Sequence, residues 1–379
     1  MPRQTIAVNT RFLIPHKLEG IGRFTCETLR NMVMAHPEHD FVFLFDRPYH
    51  KDFIFADNVR PMVVPPPARH PFLWYLWFEI ALPIVFARLR PHLFISTDGY
   101  CSLHTQVPTL MVVHDLAFEH YPEQIPALVM RYYTHFVPRY IRHARRIAAV
   151  SNYTRQDIHN LYHTPLDKID VVYNGINEQY CPLSAAEQTQ IRQHYTQGCP
   201  YFLFVGAIHP RKNLANILRA FDLFKQQSDN RVKMVIAGRK AWQSTEAFEV
   251  YEAMQYKEEV LFLGHLEVGE LAKIIASALA LTYISFFEGF GIPIIEAFAC
   301  DIPVLTANVS SMPEVAGDAA LFLDPTQPNE IAAALLKIYE QPDLRKELTA
   351  KGRLQKQRFG WPLSAESLWQ SAQKTVDLD

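Results

Sequence analysis

The run TYISFFEGFGIPIIEAF, residues 282–298, constrains the fold more than any other stretch of this 379-residue chain. It reads as a short strand (281–285), a tight loop with glycines at 289 and 291, and a helix opening at Pro293. Proline costs little at a first helical position, because the N–H it lacks would have no intrahelical partner there. A strand that turns through glycine straight into a helix is half of a parallel β-α-β unit. Unpaired backbone N–H groups and a partial positive charge collect at such a helix start and favour a bound phosphate. Glu288 precedes the helix and Glu296 is expected in its first turn, so two carboxylates flank an anion site. The combination suits a ligand with both hydroxyls and phosphates, such as a sugar nucleotide. The bland alternative is that Gly289 and Gly291 serve a turn and Glu296 complements the helix dipole.

The same alternation fills the rest of the chain. Strands are expected at 4–9, 41–45, 92–100, 110–118 and 167–177, then at 202–205 and in RVKMVIAG, VLFLG and LTYIS, with helical segments between them. Each half therefore predicts a parallel sheet covered on both faces. In open α/β sheets ligands sit at the carboxyl ends of the strands. Three groups of residues fall there. Gly20 and Gly22 open a helix after the first strand, although Thr25 stands where a dinucleotide fingerprint needs its third glycine. His114 and Asp115 follow the apolar run LMVV. Arg211 and Lys212 follow the strand that ends at Gly206, well placed to neutralise a diphosphate; the bland reading is a solvated basic turn.

Composition removes several classes. Hydrophobic residues are 49%, charged residues 20% and the formal net charge is -2, so there is no global basic field of the kind nucleic-acid binders show. The five cysteines have no paired spacing, which argues against a zinc site or a disulfide framework and fits a reducing cytoplasm. The N-terminal MPRQTIAVNTRF enters a strand without a signal-peptide core, and a cytoplasmic protein is expected. Residues 71–90, PFLWYLWFEIALPIVFARLR, are rich in aromatics but interrupted by Glu79 and Pro83; a core helix is the favoured reading, acceptor or membrane contact the alternative. The basic face of 131–147 is read as solvated, with an anionic membrane or phosphorylated lipid as the alternative. Metal binding is the poorer reading of His114 and His120, for which no third ligand is evident.

The run from Phe286 to Pro325, FFEGFGIPIIEAFACDIPVLTANVSSMPEVAGDAALFLDP, resembles the nucleotide-sugar motif of retaining glycosyltransferases of family 4, whose mark is two glutamates with seven residues between them. PRKNL resembles that family's phosphate-binding run, VVHDLAFEHYPE its histidine–aspartate motif, and a Gly-x-Gly loop is usual near Gly20. The resemblance implies the GT-B fold: two Rossmann-like parallel-sheet domains facing across a cleft, with a C-terminal helix crossing back to the first. The expected boundaries are 1–178, 199–358 and 359–379.

It further implies that Arg211 and Lys212 hold the donor diphosphate, that Glu296 binds ribose hydroxyls, and that Glu288 and His114 contact the transferred sugar. Gly20, Gly22, Gly206, Gly289, Phe290, Gly291 and Ile292 would complete the donor site, with no metal and no further cofactor. GAIHPRKNL looks most like mannosyltransferases of bacterial surface polysaccharides, so GDP-mannose is the first expectation and a UDP-sugar the second. The acceptor would be a saccharide or a lipid-linked saccharide, with nucleic acid excluded and peripheral membrane contact an open alternative. Two departures stand out: Ala207 where some members carry arginine, and Asp301 where the family usually has glycine. An epimerase or phosphorylase of the same fold, or a non-catalytic binding subunit, is the rival reading. A hydride-transferring dehydrogenase is disfavoured by the broken glycine fingerprint.

Overall fold

The computed structural model describes residues 3–15, 18–228, 230–239 and 245–376. It divides into two compact units, Met1–Gly175 with Gly360–Asp379, and Ile176–Phe359. Each is built on one parallel sheet.

The first sheet has seven strands: β1 (Thr5–Asn9), β2 (Asp40–Phe45), β3 (Val59–Val63), β4 (Leu93–Ser96), β5 (Thr109–Val113), β6 (Arg146–Ala149) and β7 (Ile169–Val171). They lie in the order β3-β2-β1-β4-β5-β6-β7. The second has six: β8 (Tyr201–Val205), β9 (Lys233–Ala237), β10 (Val260–Gly264), β11 (Ala280–Tyr283), β12 (Val304–Ala307) and β13 (Ala320–Leu323), ordered β10-β9-β8-β11-β12-β13. Central strands such as TLMVV and YFLFV are buried at every position, because helices cover both faces. Edge strands β3 and β10 are mostly half-buried or exposed, and Pro61 sits on an edge, where a missing N–H breaks no inner ladder. The expected strands appear, several of them shorter: β4 stops at Ser96 and β5 at Val113, which leaves 97–100 and 114–118 as loop and helix above the sheet.

Residues 71–89 form one continuous 19-residue helical segment. Pro83 does not end it. A proline at that position has no N–H for the carbonyl one turn back, and a π-turn over Trp77–Ala81 widens the helix there. By length and composition the segment could cross a bilayer. Trp77, Phe78, Leu82 and Phe86 nevertheless pack into the first unit's core, while Phe72, Ile80 and Ile84 are exposed. The core-helix reading therefore holds for one face.

The polar stretch 178–199 packs with the second unit. Its helix, Ala185–Thr196, starts with a reciprocal cap between Ser184 and Glu187, and Arg192 Nε donates to Ser277 O at 2.9 Å. The chain returns to the first unit at Gly360. The last helix, Trp361–Val376, packs on Gly20–Ala35, and Ser364 Oγ donates to Tyr173 O at 2.6 Å. Gly175 makes the join: a Cβ there would stand 2.3 Å from Trp361 N.

Candidate functional site

A doubly wound sheet has one place where its strand order reverses, and loops on the two sides of that point diverge to leave a crevice. In the second unit the reversal lies between β8 and β11. The loop after β8 carries Arg211 and Lys212; the loop after β11 carries Glu288. The fold thus brings together residues 76 positions apart. Phe286 N donates to Arg211 O at 2.9 Å and stitches the two loops.

Lys212 Nζ donates to Glu288 Oε1 at 2.6 Å and to Tyr283 Oη at 2.9 Å. Arg211 Nη1 donates to Phe287 O at 3.0 Å and lies 3.7 Å from Glu288 Oε2. Burial by itself would raise the Glu288 pKa, but Lys212 and then Arg211 outweigh it and hold the carboxyl below its ordinary range. Tyr283 is pushed the other way, chiefly by burial and then by Glu288, and stays a phenol. The cluster is therefore a carboxylate ionised at neutral pH under two cations.

The backbone around it is set by special conformations. Gly206 has φ 143°, and Asn213, at φ 59°, ends the Pro210–Lys212 turn. Asn213 Nδ2 donates to Ile284 O at 2.9 Å and Pro325 O at 2.7 Å, which clamps the loop to its neighbours. Glu288 N donates to Ser310 Oγ at 3.1 Å, and Ser311 Oγ donates to the carbonyls of Glu288 and Phe290 at 2.9 Å each. Gly291, at φ 102°, starts the helix Ile292–Ala299. That helix begins one residue before the expected Pro293, so Glu296 lies beyond its first turn. The left-handed glycine, rather than the proline, sets the start. Glu296 is buried in that helix, as is Phe290 in the loop before it.

The first unit holds His114 just past β5. Its Nε2–H donates to Thr97 O at 2.8 Å, and Phe24 meets the ring edge-on at 5.1 Å. Burial is the main cause of a lowered pKa, so the ring is neutral at pH 7 and Nδ1 is its acceptor. Asp115 Oδ1 accepts from Ala117 N at 3.0 Å and caps the following turn. His120 Nε2 pairs with the Asp157 carboxylate at 2.9 Å.

Of the two glycines at the first helix, Gly22 is required: a Cβ would stand 2.7 Å from Phe12 O. At Gly20 no described residue beyond its chain neighbours and its own helix backbone comes within 4 Å of that position. Thr25, where a fingerprint would have glycine, instead donates to Ile21 O at 2.8 Å and Thr97 Oγ1 at 2.9 Å. It ties the helix to the residue that orients His114.

Sequence reasoning missed the support around these groups. Asn213 lies within PRKNL and Ser310 and Ser311 within the long motif, but none was given a role at the site; Tyr283, as the last residue of a strand before the Glu288 loop, was the nearest to a signal. It also missed Arg11 and Asp98, a buried ion pair beneath the same edge of the first sheet, with the guanidinium 4.4 Å from the Tyr100 ring centroid. The turn after Gly238 runs into 240–244, which lie outside the described residues.

With the geometry in place, the relatives can be set beside it. The description "Glycosyltransferase Family 4" matches residues 18–180 and "Glycosyl transferases group 1" matches 187–355. Between them they span nearly the whole chain, which belongs to these glycosyltransferase families. O-antigen chain mannosyltransferase B of Escherichia coli is 32% identical over 65% of this chain and 65% of its own length. The chain's match thus spans a little under two thirds of that relative. O-antigen chain mannosyltransferase RfbU of Salmonella typhimurium is 27% identical over 72% of each. Among solved structures, Anabaena HepE in complex with UDP and glucose superposes with a TM-score of 0.74 at 15% identity, covering 98% of this chain and 100% of that one. The fold is GT-B.

Proposed function

We propose that the protein is a retaining hexosyltransferase that moves mannose from GDP-mannose to a saccharide or lipid-linked saccharide acceptor. The observation that carries the proposal is the Lys212–Glu288 contact at 2.6 Å, at the reversal point of the second sheet. Arg211 and Lys212 hold the donor diphosphate and stabilise the charge on the departing nucleotide. Glu288, kept ionised by those cations, accepts hydrogen bonds from hydroxyls of the transferred sugar, and Glu296 takes the ribose hydroxyls. His114, neutral and with Nδ1 as acceptor, is suited to accept a hydrogen bond from a sugar hydroxyl.

The acceptor hydroxyl attacks the anomeric carbon on the face from which the nucleotide leaves, and its proton passes to the leaving phosphate. No protein base is then needed. Mannose as the sugar is supported by the names of the O-antigen relatives, and a nucleotide diphosphate by the UDP bound in HepE.

Thermal stabilisation by GDP-, UDP- and ADP-sugars and their free nucleotides tests the donor half. A midpoint shift with one series, lost in Lys212→Ala and Glu296→Ala, is expected. No shift with any member would leave a non-catalytic binding subunit as the better reading. Release of free sugar phosphate or of an epimer would point instead to a phosphorylase or epimerase.

A further inference from the structure

The first sheet has its own reversal point, between β1 and β4. There the crevice is filled by side chains bonded to one another. Asn9 and Arg11 stand at and just past the end of β1; Ser96, Thr97 and Asp98 stand at and just past the end of β4. Asp98 is the buried partner of Arg11, and its Oδ1 accepts from Ser96 Oγ at 3.3 Å. Ser96 Oγ in turn accepts from Asn9 Nδ2 at 3.2 Å. Thr97, between them, is also buried. Its hydroxyl donates to Asn9 O at 3.0 Å and accepts from Thr25 Oγ1 at 2.9 Å, a proton that Thr25 shares with Ile21 O at 2.8 Å. Each side chain of 96–98 is thus bonded across the reversal point, and the backbone at Thr97 is held from both sides.

The Thr97 carbonyl is the group that accepts His114 Nε2–H at 2.8 Å. In a neutral imidazole one nitrogen donates and the other accepts, and the partner of one nitrogen decides which is which. With Nε2–H committed to Thr97, the Nδ1 lone pair is what the ring offers. The helix Gly20–Ala35 reaches this histidine twice. Phe24 meets the ring edge-on, and Thr25, the next residue, acts through the hydroxyl of Thr97. A glycine at 25, as in a dinucleotide fingerprint, would have no hydroxyl to give.

We propose that Thr25 and Thr97 are positioning residues for His114: their hydroxyl pair holds the Thr97 carbonyl in place, and that carbonyl selects the imidazole tautomer that presents Nδ1 to a ligand hydroxyl. The place that a dinucleotide-binding helix keeps free for close packing carries a hydrogen bond here instead. The sugar as the ligand rests on the transferase reading; the choice of tautomer does not.

The full-length protein, isotope-labelled at its histidines, is measured by NMR near neutral pH, with the His114 ring signals assigned by their loss in His114→Gln. In the native protein Nε2 should carry the proton, and that proton should be protected from exchange with solvent. Thr25→Val keeps the branched shape and removes the hydroxyl. It should speed that exchange about three- to ten-fold, the contribution of one hydrogen bond. In transfer from GDP-mannose, kcat should fall by a similar factor while the donor KM stays unchanged. Thr25→Ser restores the hydroxyl and should return both readouts towards native values; Thr25→Ala, which restores nothing, should not. Thermal midpoints check that each variant folds, and the serine–alanine comparison serves if the valine variant does not. A native ring protonated on Nδ1, unchanged exchange in Thr25→Val, or a serine variant that behaves like the alanine one overturns the proposal. So does a lower kcat in Thr25→Val with unmoved imidazole signals, which would make Thr25 a packing residue. A native protein that transfers no sugar but shows the expected exchange pattern would sink the transferase reading and support the positioning role.

Discussion

Lys212 and Glu288 form a buried ion pair between the loops that follow two adjacent strands, β8 and β11, with 17% and 8% of their side chains exposed. Removing Lys212 leaves the buried Glu288 carboxylate to the more distant Arg211 at 3.7 Å, whereas removing both charges leaves no such imbalance. Lys212→Ala should therefore destabilise the protein by about 3 kcal/mol. Lys212→Ala/Glu288→Gln should recover much of that loss in urea unfolding. Turnover should not recover: both variants are expected to lose about a hundred- to thousand-fold in kcat, the usual cost of deleting a charge-stabilising group.

The half-buried His114 ring gives a pH signature. Its folded pKa lies below the ordinary 6.5, so the unfolded chain binds the proton more readily. Its contribution to stability is complete above about pH 6.5 and is lost as pH falls towards the lowered folded value. Unfolding midpoints measured between pH 7.5 and 5 should fall in the native protein. The fall should be shallower in His114→Gln.

Asp301 has φ 60°, a left-handed conformation that glycine adopts freely and that aspartate tolerates better than most residues. Its carboxylate meets the Arg353 guanidinium through two hydrogen bonds of 3.0 and 2.8 Å. Asp301→Ala loses the pair and keeps the backbone cost; Asp301→Gly loses the pair but relieves that cost. The glycine variant should be the more stable of the two by about 1 kcal/mol, read from thermal midpoints.

Gly175→Ala would drive a Cβ to 2.3 Å from Trp361 N and 2.6 Å from the indole ring. Expected is a loss of about 2 kcal/mol. Hydrogen exchange should localise it to faster exchange in the Trp361–Val376 helix.

With two cations assigned to the leaving diphosphate, transfer from GDP-mannose should persist in excess EDTA. Loss of activity that added Mg²⁺ restores would require revising the roles of Arg211 and Lys212.

Much of this was legible in the chain because its physics is local. Alternating apolar runs and glycine turns predict two parallel sheets, and the residues past each run predict what stands at the carboxyl edge. What was not legible depends on long-range pairing or on backbone angle. No local pattern joins Lys212 to Glu288, which only the family resemblance puts at one donor, or Thr25 to Thr97, since strand order decides both. Pro83 reads as an interruption, and only the π-turn at Trp77–Ala81 carries the helix past it. Asp301 reads as an anomaly until its φ and its Arg353 partner are known. Gly20 and Gly22 look alike in sequence, yet only Gly22 faces a neighbour that a side chain would strike.

The first unit is closed by the last stretch of the chain, from Gly360 onward, while Ile176–Phe359 lies between. On the ribosome the seven-stranded sheet is therefore made early but must wait for its final helix. At ordinary synthesis rates that wait is about ten to forty seconds. During it the surface that will receive Trp361, Leu368 and Trp369 is open to solvent and to other nascent chains. Cells that make this protein quickly should thus show its aggregation limited by the time taken to reach Trp361–Val376 rather than by the stability of the finished fold.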